Sequence, residues 1–138
     1  MARIMAIDYG VKRTGIAVTD PLQIISTGLI TIASRELIPF LKEYFTKESV
    51  KLIIIGLPKN WDETDTHGTA PAKEAIKKIE KAFPLMPLKT VDERYTSKMA
   101  KDAMLEMGMK KMQRRDKKEV DVIAATIMLQ EYMGRTGQ

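Results

Sequence analysis

The chain has 138 residues, 44% hydrophobic and 30% charged, close to the globular average and far from the disordered corner. One domain over 1–138 is expected at that length. The absence of cysteine excludes disulfides and thiolate metal sites and points to a cytosolic protein. The net charge of +5 is concentrated: Lys89 to Lys118 holds ten Lys and Arg against five Asp and Glu, and the remainder balances. Such a segment suits either a surface that meets phosphate or a solvated helix and loop.

The opening MARIMAID reads as a strand ending at Asp8, too short and too charged for a signal peptide. Gly10 and Gly15 bracket a turn that contains Lys12 and Arg13, and Thr14 to Asp20 is a second strand closed by Pro21. Ile24 to Ile32, rich in β-branched residues, is a third strand, so an antiparallel meander is expected. Ser34 offers an N-cap for a helix whose apolar stripe is Leu37, Phe40, Leu41, Tyr44 and Phe45.

Lys51 to Gly56, KLIIIG, is the continuous apolar run of a strand covered on both faces. A polar loop from Pro58 to Gly68 follows, then a helix over Pro71 to Phe83 with Ala72, Ala75, Ile76, Ile79 and Phe83 inward. Pro87 to Val91 is a fifth strand that runs into Asp92 and Glu93. A third helix is predicted from Thr96 to Met107, a basic linker from Met109 to Lys118, and a last helix from Lys118 to Met133. A meander followed by right-handed βαβ crossovers gives an α/β fold: a five-stranded mixed sheet, order 3-2-1-4-5, with helices on both faces. No stretch approaches the roughly 18 apolar residues of a membrane-spanning helix.

Three acids lie where structure alone would prefer something else. Asp8 ends the first strand, and ligand sites in open sheets gather beyond the carboxyl ends of parallel strands. Asp before Tyr9-Gly10 also suits a simple turn. Asp92 and Glu93 close the fifth strand, and alternation lets only one of them share a face with Asp8, while both also suit the start of the next helix. Asp121 shares a helical face with Ala124, Ala125 and Met128, and an acid on a buried face is costly unless paired or bound to metal. Capping the last helix is its alternative role.

Gathered carboxylates raise one another's pKa, and a divalent cation removes that conflict. Oxygen donors without cysteine, in a chain with a single histidine, favour Mg²⁺ or Mn²⁺ over Zn²⁺. Such a site activates water and neutralises the leaving oxygen of a phosphodiester. His67, alone in the polar loop, is set aside as a surface residue.

The motifs AIDYGVKRTGIAVTDP, IIIGLPKNWD, TVDERYTS and EVDVIAATIMLQEYM occur in this order and spacing. Together they resemble the YqgF-type (RuvX) family, Holliday junction resolvase-like proteins also described as pre-16S rRNA nucleases, with an RNase H-like fold. The resemblance spans nearly the whole chain. It implies Asp8, Glu93 and Asp121 as catalytic acids and metal ligands, with Lys12, Arg13 and Arg94 as phosphate contacts. The basic residues Lys110, Lys111, Arg114 and Arg115 add to the substrate surface. The implied partner is nucleic acid, either precursor rRNA, alone or in ribosomal particles, or branched DNA. The implied role is 5′-end maturation of small-subunit rRNA in the cytoplasm, by a monomer or a homodimer and without a membrane partner.

Two departures stand out. The fourth strand has no glutamate where RNase H and related resolvases place one, and the last helix follows Asp121 with alanines rather than a second acid. Three strong ligands remain, with Asp92 in reserve. Two rival readings are an ATPase, for which Asp-x-Gly before a hairpin is a phosphate-loop signal but a second domain is lacking, and a non-catalytic RNA-binding module built on the basic series. Trp61, Tyr9 and Tyr95 are available to stack on bases.

Overall fold

The computed structural model describes residues 2–57, 69–92 and 117–135. Five strands, β1 (Arg3–Tyr9), β2 (Arg13–Thr19), β3 (Ser26–Ala33), β4 (Val50–Leu57) and β5 (Leu88–Asp92), form one sheet in the order β3-β2-β1-β4-β5. The first three run antiparallel, and β4 and β5 run parallel to β1. Helices α1 (Leu37–Lys47), α2 (Thr69–Ala82) and α3 (Lys117–Arg135) complete the described elements. The predicted topology is the observed one. The predicted loop at 58–68, the helix at 96–107 and the basic linker to 116 lie outside the described residues.

Alternation divides the core. Met5, Ile7, Ile16, Val18, Ile53 and Ile55 face one side with Leu37, Leu41 and Ile79 of α1 and α2. Ile4, Ala6, Ala17, Leu52 and Ile54 face the other, under Ala125, Met128, Leu129 and Met133 of α3. The four residues Leu52 to Ile55 are all buried, as a strand covered on both faces requires. Phe45 meets Phe83 edge to face at 5.0 Å, tying the end of α1 to the residue just past α2.

Three expectations are corrected. The β3 strand starts at Ser26 rather than Ile24, because Asp20 captures the preceding residues. Its carboxylate accepts the backbone N–H groups of Leu22, Ile24 and Ile25, and Gln23 takes a positive φ of 59° between them. Ile24 and Ile25 are left 66% and 62% exposed.

Ser34 is not the cap of α1. A 3-10 turn (Ser34–Glu36) precedes that helix, neither helix start has a side-chain cap bond, and the Ser34 hydroxyl points elsewhere. The buried face of α3 is also rotated from the apolar stripe that its spacing predicts, Val120, Ile123, Ala124, Ile127 and Met128. Ala124, Ala125, Met128, Leu129 and Met133 are buried, while Ile123 and Ile127 are only partly covered. Ala125 against Ala6 and Ala17 lets the helix approach the sheet closely, which a bulkier face would prevent.

The amide of Ile25, with those of Ile24 and Leu22, holds the Asp20 carboxyl below its ordinary range. A depressed folded-state pKa contributes order above the unfolded value and loses it as pH falls through the folded one. The hydrogen-exchange protection factors of Ile24 and Ile25, taken against the intrinsic rate at each pH, should therefore fall in acid. Asp20→Ala should abolish the protection already at neutral pH, leaving the exchange of the central strands unchanged.

Candidate active site

The parallel half of the sheet brings three strand ends to one rim. Ile7 lies beside Ile55, Gly56 beside Val91, and Leu57 beside Asp92. Continued by one residue within both strands, the β1–β4 register sets Asp8 beside Gly56. On the antiparallel side Asp8 pairs with Gly15, and Gly15 with Thr31. Asp8 follows Ile4 and Ala6 on the face that α3 covers, and it is partly buried. Its neighbours on both adjacent strands are thus glycines. A hard oxygen donor at this rim fits a divalent cation.

The opposing element is α3. Asp121 lies in its N-terminal part, one turn before the buried Ala124 and Ala125. The helix is seated by its next turns. A Cβ on Gly28 of β3 would stand 2.3 Å from Val122 Cγ1, so Val122 rests directly on that glycine. Ser26 Oγ donates to the Thr126 carbonyl at 3.1 Å, while the Thr126 hydroxyl donates to Val122 O at 2.8 Å. Farther along, Lys89 Nζ donates to the Tyr132 hydroxyl at 3.4 Å. The helix therefore crosses from β3 towards β5 on the same face as Asp8.

Glu93, Arg94, Lys110, Lys111, Arg114 and Arg115 lie outside the described residues, as do His67, Trp61 and Tyr95. Asp92 is the last residue of β5. Among the described side chains no three His, Cys, Asp or Glu groups gather as a metal centre, and Asp8 is the one expected ligand in that set.

Lys12 and Arg13 lie on the turn from β1 to β2. Lys12 is exposed beside Val11, which is 68% exposed, and Arg13 opens β2 opposite Ala33. Gly10 N–H donates to Arg13 O at 2.9 Å, and a Cβ at Gly10 would stand 2.6 Å from that same oxygen, so only glycine fits there.

A polar group that the sequence reading did not single out holds this turn. Thr14 is fully buried, and its Oγ1 lies 2.8 Å from Ser34 Oγ. The Ser34 hydroxyl donates to Gly10 O, which leaves Thr14 as donor in the Thr14–Ser34 bond. Ser34 N–H donates to Lys12 O at 3.0 Å. The available signal was a threonine at an inward position of an otherwise apolar strand.

Comparison with known proteins agrees with this fold. The family model for RuvX, described as Holliday junction resolvase, matches residues 2–135. Relatives named for pre-16S rRNA nuclease include one from Christiangramia forsetii, 50% identical over 133 residues, 96% of this chain and 98% of that protein. Another, from Flavobacterium psychrophilum, is 52% identical over 135 residues and 98% of each chain. Among solved structures, T. thermophilus RuvC in complex with a Holliday junction substrate aligns over 99% of this chain and 97% of its own, with a TM-score of 0.59 at 13% identity. A second Thermus thermophilus RuvC structure gives 0.54 at 11% identity, over 98% and 96%. At such identities the likeness shows the RNase H-like fold alone. With that fold, a carboxylate at the parallel rim and near-full-length relatives at half identity, this chain belongs to the RuvX family of nucleases, hydrolases by reaction class.

Proposed function

We propose that this protein is a divalent-metal-dependent nuclease that matures the 5′ end of precursor 16S rRNA during ribosome biogenesis in the cytoplasm. The observation that carries this reading is the strand register, which sets Asp8 at the carboxyl rim between Gly15 and Gly56, on the face crossed by α3. The names of the relatives supply the substrate.

Asp8, Glu93 and Asp121 are the proposed ligands of Mg²⁺ or Mn²⁺. Lys89 and Val91 lie on the α3 side of β5, and Glu93 follows Val91 by two in the sequence. The bound ion supplies activation of water and neutralisation of the charge that develops on the leaving oxygen. Lys12 and Arg13 at the rim, with Arg94 and the basic residues Lys110, Lys111, Arg114 and Arg115, hold the flanking phosphates as charge-assisted contacts. Among the described residues, no helix is long and apolar enough to cross a membrane.

The test is cleavage of a labelled precursor 16S rRNA fragment beside a four-way DNA junction, with Mg²⁺, Mn²⁺ or EDTA. Cleavage of the RNA with either ion and none in EDTA is the expected result. The family description favours one second reading, a resolvase acting on branched DNA as a pair of subunits. Junction cleavage with intact RNA would establish it. Salt-sensitive RNA binding without cleavage under any ion would leave an assembly factor that binds and does not cut.

A further inference from the structure

We infer that Ser34 and Thr14 are positioning residues for substrate binding, which lock the β1–β2 turn so that Lys12 and Arg13 meet the phosphate backbone pre-set. This rests on the reading of those two cations as phosphate contacts.

Ser34 directs its bonds to the turn rather than to its own helix. Its N–H reaches Lys12 O, its hydroxyl reaches Gly10 O, and its oxygen accepts from Thr14 Oγ1. Both side chains are buried, Ser34 at 7% exposure and Thr14 at 0%. Burying hydroxyl groups is costly without partners, and an alanine and a valine would fill the same space without that requirement. Packing therefore does not account for the pair.

Besides the Tyr9–Thr14 and Arg13–Ala33 pairs of the ladder, the Gly10–Arg13 backbone bond closes the turn, and Val11 and Lys12 stand in solvent. A long cationic side chain on a loose loop loses much of its binding free energy to ordering, and fixing the backbone beneath it removes part of that cost. Ser34 grips the carbonyls on both sides of Val11, those of Gly10 and Lys12. The lock also spans the meander, because Ser34 follows directly on β3 while the turn leads into β2.

The experiment compares steady-state cleavage of the precursor rRNA fragment by wild type, Ser34→Ala, Thr14→Val, Thr14→Ser and Lys12→Ala/Arg13→Ala. Ser34→Ala and Thr14→Val should each raise KM about tenfold with kcat held within about twofold. Thr14→Ser, which keeps the hydroxyl, should retain the wild-type KM. Neither hydroxyl deletion should add to the effect of Lys12→Ala/Arg13→Ala, since the turn would then carry nothing to position.

Unchanged KM, a loss confined to kcat, or full additivity with the cation deletions would overturn the inference and leave the phosphate contacts standing. If Lys12→Ala/Arg13→Ala itself leaves KM unchanged, the contact reading falls and takes the inference with it. Should Ser34→Ala fail to fold, the Thr14→Val and Thr14→Ser pair decides alone.

Discussion

Asp8→Asn is expected to reduce metal-dependent cleavage on the order of a thousandfold while the chain still folds and still binds RNA. The substitution keeps the shape of the side chain and removes its charge. At a rim proposed to gather three carboxylates, removing one charge relieves like-charge repulsion in the metal-free protein. The measurement therefore has two parts. Cleavage should fall by that factor, and the rise in melting temperature expected when Mn²⁺ binds folded wild type should vanish with it. Asp121→Asn should behave alike in both. A variant that melts as wild type, still responds to Mn²⁺ and still cuts would remove Asp8 from the centre altogether.

Gly28→Val should be the most disruptive single change outside the acids. Val122 Cγ1 already occupies the space 2.3 Å from where a Cβ would stand, and Thr126 Oγ1 lies 3.1 Å from it. Val122 must turn away or the helix lift, straining the seat that Ser26 gives the Thr126 carbonyl and disturbing the buried layer of Ala125, Met128 and Leu129. Overpacking of this kind costs about 3 kcal/mol, read as a lower denaturant midpoint at unchanged slope. Because α3 carries Asp121, cleavage should fall further than the loss of folded protein explains. Gly134→Ala on the same helix meets open space and should leave activity unchanged.

These two positions show what the sequence alone could say. Strand order and direction were legible because the apolar runs are short, punctuated and of two kinds: alternating or half-exposed in the meander, continuous in β4. Asp8 stood out as an acid closing an apolar strand. Its two glycine neighbours did not, because Gly15 and Gly56 become adjacent only once registers are known, and pairing across a parallel crossover has no local signature.

Ser34 was read as a cap because hydroxyl residues before an apolar stripe usually cap. A partner 20 residues away, Thr14, competed for the same oxygen. Ile24 and Ile25 have strand propensity, yet three hydrogen bonds to one carboxylate outweigh it. The rotated face of α3 follows from alanine, whose value lies in closeness rather than in hydrophobic area.

The docking of α3 has a consequence for how the molecule comes into being. Ser26 and Thr126 touch across 100 residues of chain, and the helix lies on a face formed by strands translated long before it. As the polypeptide leaves the ribosome, that face lacks this cover until α3 emerges. Of the three proposed ligands, Asp8 belongs to the first of these strands, Glu93 follows the last, and Asp121 comes only with that helix. A chain translated no farther than β5 would therefore hold the proposed centre incomplete.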